Sequence, residues 1–305
     1  MTGLRYHLPP DRAVITVAGE DRQTFLQGLI SNDTAKIAPD RAIYATLLTA
    51  QGRFLFDLFI AGDADRYLVD CATPRRADLV KRLSMYKLRS KVTIADADPD
   101  WCAALLFGDG AIDRIGLGRA AGTAAPFGNG VAYVDPRLPD LGVRLVMPRI
   151  TARETLEGLS AAEDADGAAY HRLRIALGVP DATRDLTPEK SILLENGFDE
   201  LNAIDWQKGC YMGQELTART KYRGLVRKRL LPVTVEGPMP APGTLVMLGE
   251  KEAGEMRSGR DGHALALLRL EMVEAAKANG PLTAGAAKVT AHLPGWIKLP
   301  EAAEG

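Results

Sequence analysis

Lys208-Gly209-Cys210-Tyr211-Met212-Gly213-Gln214-Glu215 sets a thiol and a phenol between two glycines, with a lysine in front and a helix-forming run, Leu216-Thr217-Ala218-Arg219, behind. Glycine at these places permits a sharp turn or a close backbone approach to a ligand. The pattern puts Cys210 at or just before a helix N-terminus, where Lys208 and the helix dipole favour a thiolate. From Gln207 to Arg229 the charged residues are Lys208, Glu215, Arg219, Lys221, Arg223, Arg227, Lys228 and Arg229, seven positive against one negative, which makes a local anion site. The residues alone leave two readings: a working thiol in that site, or a packing thiol beside a solvated basic face.

The rest of the chain is electrostatically balanced. Its 305 residues carry 38 Lys+Arg against 39 Asp+Glu, a net charge of -1, with 46% hydrophobic residues, as in a folded globular protein of two or three domains. No basic excess draws it to nucleic acid, whose phosphates demand one. The first ten residues hold no signal-like apolar run and no segment reaches membrane-spanning length, so no membrane partner and a cytoplasmic location are expected. Cys71, Cys102 and Cys210 are scattered and His7, His171, His263 and His292 stand alone, so no metal site is expected. Cys71 and Cys102 read as packing residues.

Working outward, residues 13–17 read as a strand and 24–30 as a helix with one apolar face. Residues 43–48 and 54–60 flank the Gly-containing connection Ala50-Gln51-Gly52-Arg53 as a hairpin. A strand at 67–71, a helix over 74–86 with Leu79, Val80, Leu83 and Tyr86 on one face, and a strand at 91–94 complete a first α+β unit, 1–95. Residues 96–130 are poor in periodicity and are expected to be irregular. Strands at 131–134 and 143–146 and helices at 152–159 and 165–177, the last stopped by Gly178-Val179-Pro180, make a second α+β unit, 96–225. After Gly237-Pro238-Met239-Pro240-Ala241-Pro242-Gly243, strand-like runs at 244–248, 263–270 and 288–292 predict a small all-β module, 226–305.

The octapeptide resembles the K-G-C-[FYW]-x-G-Q-E signature of the YgfZ family, folate-binding relatives of the glycine cleavage T-protein that support assembly or repair of iron-sulfur clusters. The likeness continues through Leu216-Thr217-Ala218-Arg219-Thr220 to Gly224-Leu225-Val226-Arg227-Lys228-Arg229-Leu230, where it is especially similar to mitochondrial members. Residues 25–33, 52–57, 86–92 and 174–180 resemble family segments in the same order, so the likeness runs from about Val14 to about Val235.

What the resemblance implies is a T-protein-like α+β fold: a ferredoxin-like N-terminal unit, a second α+β unit and a C-terminal β-barrel, around a folate cavity. It implies a folate-binding accessory protein for four-iron clusters in client enzymes, with tetrahydrofolate or a derivative as cofactor and with iron-sulfur assembly proteins as partners. Cys210 is then the working centre, through a transient iron-sulfur contact, since a four-iron cluster normally takes a cysteine for each iron. Lys208, Gly209, Tyr211, Gly213, Gln214, Glu215 and Arg219 are expected to build the binding segment around it. Asp57 would bond folate or act as a base, Tyr86 and Arg89 would line the cavity, and Arg229 would hold the glutamyl tail. Two departures stand out. T-proteins carry a paired Asp-Asp where this chain has Phe56-Asp57, and they tend to carry a glutamate where it has Ala176. A tetrahydrofolate-dependent aminomethyl or methyl transferase is therefore the alternative reading, weakened at both places, and a scaffold that docks assembly proteins through the basic face is a third.

Overall fold

A computed structural model describes residues 3–97, 99–224 and 226–298, which leaves the ends of the expected domains at 1–2, 225 and 299–305 outside the described residues. Of the described residues, one compact unit takes in those up to Thr49, Leu55–Tyr170 and Leu201–Met212. The other takes in Ala50–Phe54, His171–Glu200 and those from Gly213 on.

The first unit carries, in chain order, β1 (Arg5–His7), β2 (Arg12–Ala18), α1 (Arg22–Gln27), β3 (Ile43–Leu48), β4 (Phe54–Asp63), β5 (Arg66–Ala72), α2 (Arg76–Lys87), β6 (Thr93–Asp96), β7 (Trp101–Phe107), α3 (Ala111–Ile115), β8 (Ala124–Phe127), β9 (Gly130–Val134), β10 (Val143–Pro148), α4 (Arg149–Glu157) and β11 (Ala162–Glu163). They form a five-stranded sheet in the order β3-β4-β5-β2-β6 and a six-stranded one in the order β11-β1-β7-β10-β9-β8. Phe25 and Leu26 of α1 and Leu79 and Leu83 of α2 pack on Ile15, Val17, Leu58, Ile60 and Val69 of the first sheet. Ala152 and Leu156 of α4 pack on Leu106, Val134 and Leu145 of the second. Every residue of β3 is buried, as is the first eight-residue run of β4, so both strands read as continuous apolar runs rather than alternations.

The region expected to be irregular, 96–130, holds β7, α3 and β8. Cys102-Ala103-Ala104-Leu105-Leu106-Phe107 is buried throughout, so the period-2 signal is absent although the strand is present. The break expected at 96 falls inside the first unit, and β1 pairs with β7, tying residues 5–7 to the second sheet. Buried charges on both sheets also pair with one another, as described below.

The second unit carries α5 (Ala168–Ala176) from His171 on, α6 (Ala182–Asp185), α7 (Gln214–Tyr222), β12 (Lys228–Glu236), β13 (Leu245–Leu248), β14 (Lys251–Arg260), β15 (His263–Arg269), α8 (Leu270–Asn279), β16 (Leu282–Ala284) and β17 (Ala287–Ala291). The strands close a barrel in the order β12-β15-β14-β13-β16-β17, filled by Leu231, Val246, Met256, Leu268 and Val289. Arg174 of α5 is buried and donates to Asp185 at 2.8 Å and to Ser258 of β14 at 2.7 Å, so residues 171–200 belong with the barrel and not with the α+β region before them.

Candidate functional site

The octapeptide divides at Met212, and each part is held by its own unit. Upstream, residues 201–212 form an irregular segment tied down along its length. Ser31 Oγ donates to the Ala203 carbonyl at 2.5 Å, Asn32 Nδ2 to the Asn202 carbonyl at 2.8 Å and Asp205 N to the Ser31 carbonyl at 3.0 Å. Asp205 Oδ1 accepts from Gln207 N at 2.7 Å and Lys208 N at 3.0 Å, an Asx turn, while Lys36 pairs with the same carboxylate at 2.6 Å.

Lys208 is buried. Its Nζ donates to the carbonyls of Gln27 at 2.8 Å, Ile30 at 2.6 Å and Asn32 at 2.9 Å, serving the last carbonyl of α1 and two in the loop after it. Met212 N donates to the Gly28 carbonyl at 3.2 Å, and Tyr211 is buried with its ring 5.0 Å from Lys208 Nζ. Cys210 lies between these anchors and is exposed, as is Gly209. Burial pushes Lys208 down to about 8, and the nearby Asp33 and Asp205 carboxylates only partly offset it.

Two expectations about Cys210 change. All three N–H donors of Lys208 are spent on carbonyls, so Lys208 anchors the segment and does not hydrogen-bond a thiolate. The helix begins at Gln214, and Tyr211 and Met212 come between Cys210 and its N-cap, Gly213, outside the first turn in which a dipole acts. What the fold builds is an accessible thiol on an anchored backbone.

Downstream, Gly213 takes a left-handed φ of 81° and starts α7, and Thr217 Oγ1 donates back to its carbonyl at 3.0 Å. The hairpin tip meets this turn. Gly52 has φ +68°, and a Cβ there would lie 3.0 Å from the Gly213 carbonyl oxygen and 3.2 Å from Leu216 Cβ and Thr217 Oγ1. Two segments singled out in the sequence, 161 positions apart, thus share one contact. Beside it opens a pocket of about 320 Å³, floored by Ile192, Leu193, Leu194 and Leu216, with Arg53 and Arg219 also lining it. Gln214 is half-buried, and Glu215 and Arg219 are exposed.

Asp57 is buried, and both its oxygens accept from Arg12 Nη1, at 3.1 and 3.2 Å. It is the end of a lattice the sequence reading missed. Arg12 Nε also donates to Asp70 at 2.6 Å, Arg144 Nη2 to Asp70 at 2.5 Å and Nη1 to Asp135 at 3.4 Å, and Arg137 Nη2 to Asp135 at 2.8 Å. The Phe59 ring lies under all three guanidiniums, 3.6 Å from that of Arg144. Burial alone would raise Asp70 and Asp135, but their arginines outweigh it and hold both below the usual carboxylate range. Opposite charges set inside the apolar runs Leu68-Val69-Asp70-Cys71 and Val143-Arg144-Leu145 are the signal that would have found it.

The remaining expected contacts separate. Tyr86 is half-buried, with its hydroxyl 3.5 Å from Met212 Sδ, while Arg89 is exposed. Arg229 is a correction: its guanidinium is buried, donating to the Leu194 carbonyl at 2.8 Å and to Glu200 at 2.7 Å, so the expected grip on a ligand carboxylate gives way to an internal pair. Ala176 is exposed. Among the described residues no three His, Cys, Asp or Glu side chains are grouped to hold a metal ion, and no helix is long and apolar enough to cross a membrane.

This architecture has the fold of a glycine cleavage aminomethyltransferase. The crystal structure of glycine cleavage system aminomethyltransferase T from Bartonella henselae matches with a TM-score of 0.76 over 96% of this chain and 86% of that one, at 15% identity, which speaks for the fold alone. Residues 227–299 match the family described as CAF17, C-terminal beta-barrel domain. Along its length the chain is 34% identical to "Iron-sulfur cluster assembly factor IBA57, mitochondrial" of Mus musculus, covering 93% of this chain and 83% of that protein. It is 33% identical to the protein of the same name from Homo sapiens, with the same coverage. The chain belongs to the IBA57 family of iron-sulfur cluster assembly factors. These relatives are named as mitochondrial, which overturns the cytoplasmic location expected from the lack of a signal-like or membrane-spanning run.

Proposed function

We propose that this protein is a folate-binding accessory factor for the assembly or repair of iron-sulfur clusters, chiefly four-iron ones, in client enzymes, and that Cys210 is its working residue. The observation that carries the reading is the identity of about one third with relatives named as iron-sulfur cluster assembly factors, spread over nearly the whole chain. The site chemistry supports it. Cys210 is exposed while its flanks are anchored by Lys208 and by Met212 N, which suits a thiol that must meet a partner's iron or sulfide at low ordering cost. A single thiolate completes a coordination set offered by another protein and holds no four-iron cluster alone. The wider kinship to YgfZ proteins rests on the octapeptide and belongs to this proposal.

Folate is proposed from the shared fold. The side chains expected to grip it fit poorly, because Asp57 is committed to Arg12 and Arg229 to Glu200, and no chemical step is derived through it. The same commitment of Asp57 counts against the aminomethyl transferase.

The test is the activity of a four-iron dehydratase in cells that lack this protein, complemented by wild type or by Cys210→Ala. Restoration by wild type alone is expected, and equal restoration by Cys210→Ala would sink the proposal. Titration of the purified protein with tetrahydrofolate tests the folate part by itself: saturable binding is expected, and no binding removes it.

A further inference from the structure

We infer that the C-terminal half of α2 is a docking surface for an acidic protein, which is thereby brought to the segment that carries Cys210. The inference rests on the function proposed above and names the partner's chemistry. From Arg76 to Lys91 the chain has six cations, Arg76, Lys81, Arg82, Lys87, Arg89 and Lys91, against Asp78 alone, in a protein whose net charge is -1. Arg76 pairs with Asp96 and Lys91 with Glu20, while Lys81, Arg82, Lys87 and Arg89 form no ion pair among the described residues.

The same stretch sets its apolar groups in water. Leu79 and Leu83 are buried, but Met85 is 67% and Leu88 is 88% exposed. Met85 lies in the last turn of α2 and Leu88 at its C-cap, three positions on. Leu88 stands at φ 42°, a left-handed conformation that a leucine adopts only at a cost. An exposed leucine at a strained backbone position, flanked in the chain by uncompensated cations, has the composition of an interface centre with a charged rim.

α2 also touches the thiol segment. Tyr86, next to Met85 and two positions before Leu88, reaches Met212 Sδ with its hydroxyl, and Met212 lies two positions after Cys210. A partner seated on Met85 and Leu88 is therefore held at the helix whose Tyr86 touches the segment that carries Cys210. A lipid surface fits less well: two apolar side chains at the end of one helix offer little insertion area.

The experiment replaces Leu88 with photoreactive benzoylphenylalanine in the full chain, irradiates cells and identifies the adduct by mass spectrometry. The expected product joins this chain to an acidic protein with cluster-ligating cysteines. That protein, once purified, should bind wild type, and Lys87→Glu/Arg89→Glu or about 1 M salt should weaken binding by about tenfold or more, because the contact is charge-steered. Circular dichroism should show the double variant to be folded, as its side chains are unpaired. An adduct only with a second copy, with lipid or with nucleic acid, or no adduct, overturns the inference, as does binding indifferent to the charge reversal. The readouts are separable: rescue by Cys210→Ala would remove the proposed function while a charge-sensitive acidic partner would keep the surface.

Discussion

Lys208 is held where a charge is costly, and the cost shows in its titration. Burial lowers it to about 8 from the ordinary 10.5, while in the unfolded chain it keeps the ordinary value. Between these two pH values the unfolded state binds more protons, so folding stability should rise as pH climbs through that window. Lys208→Met should abolish this rise, read from urea unfolding across the range. At neutral pH the variant leaves three carbonyls at and after the end of α1 without their donor, and a loss of about 1–3 kcal/mol is expected. Cys210→Ser tests the opposite property. Its side chain is exposed, so unfolding should shift by no more than about 0.5 kcal/mol while cellular rescue is lost. A large fall in stability would mean that the thiol is a packing residue after all.

At the scale of elements, the Arg12-Asp57-Asp70-Arg144-Asp135-Arg137 lattice joins the two sheets of the first unit. Three carboxylates balance three guanidiniums, so removing one leaves buried charge uncompensated. Asp70→Asn, which takes one partner from Arg12 and one from Arg144 and leaves three guanidiniums against two carboxylates, should cost about 3–5 kcal/mol. Asp70 and Asp135 are held below their ordinary range, so their contribution is present above ordinary carboxylate pKa values and is lost as pH falls through the lowered ones. Acid unfolding of Asp70→Asn should therefore be less steep than that of wild type in the same acid range. At the hairpin tip, Gly52→Ala places a Cβ against the Gly213 carbonyl in a left-handed conformation, and a cost of at least about 1–2 kcal/mol should appear as a lower Tm.

For the whole molecule, residues 171–200 depend on the barrel that follows them in the chain. Ile175 packs with Leu230, Leu265 and Leu267, Arg174 reaches Ser258, and Trp296 Nε1 donates to the Leu177 carbonyl at 2.7 Å. A chain ended before Lys228 should lose amide protection over Ile175–Val179 in hydrogen exchange, and retained protection there would show that the segment folds without the barrel.

Much of this molecule was legible along the chain, wherever the deciding physics is local. The hairpin follows from two apolar runs around Gly52, α2 from Leu79 and Leu83 on one face, the end of α5 from Gly178 and Pro180, and the barrel from short runs between glycine turns. The octapeptide pointed to iron-sulfur cluster assembly because its residues are contiguous, while the particular family, IBA57, came from the likeness along the whole chain. Where burial is complete the local signal fails, as in β7, whose apolar run has no period. Local charge density also misled. Seven cations near Cys210 read as one anion site, yet Lys208 is spent on carbonyls nearly 180 positions away and Arg229 on Glu200. Which residues have chemistry to offer, and where the chain turns, can be read along the chain. Which of those charges stay open is settled by the fold, because a buried charge must be paired by whatever group the fold brings to it, and that group lies far away in the chain.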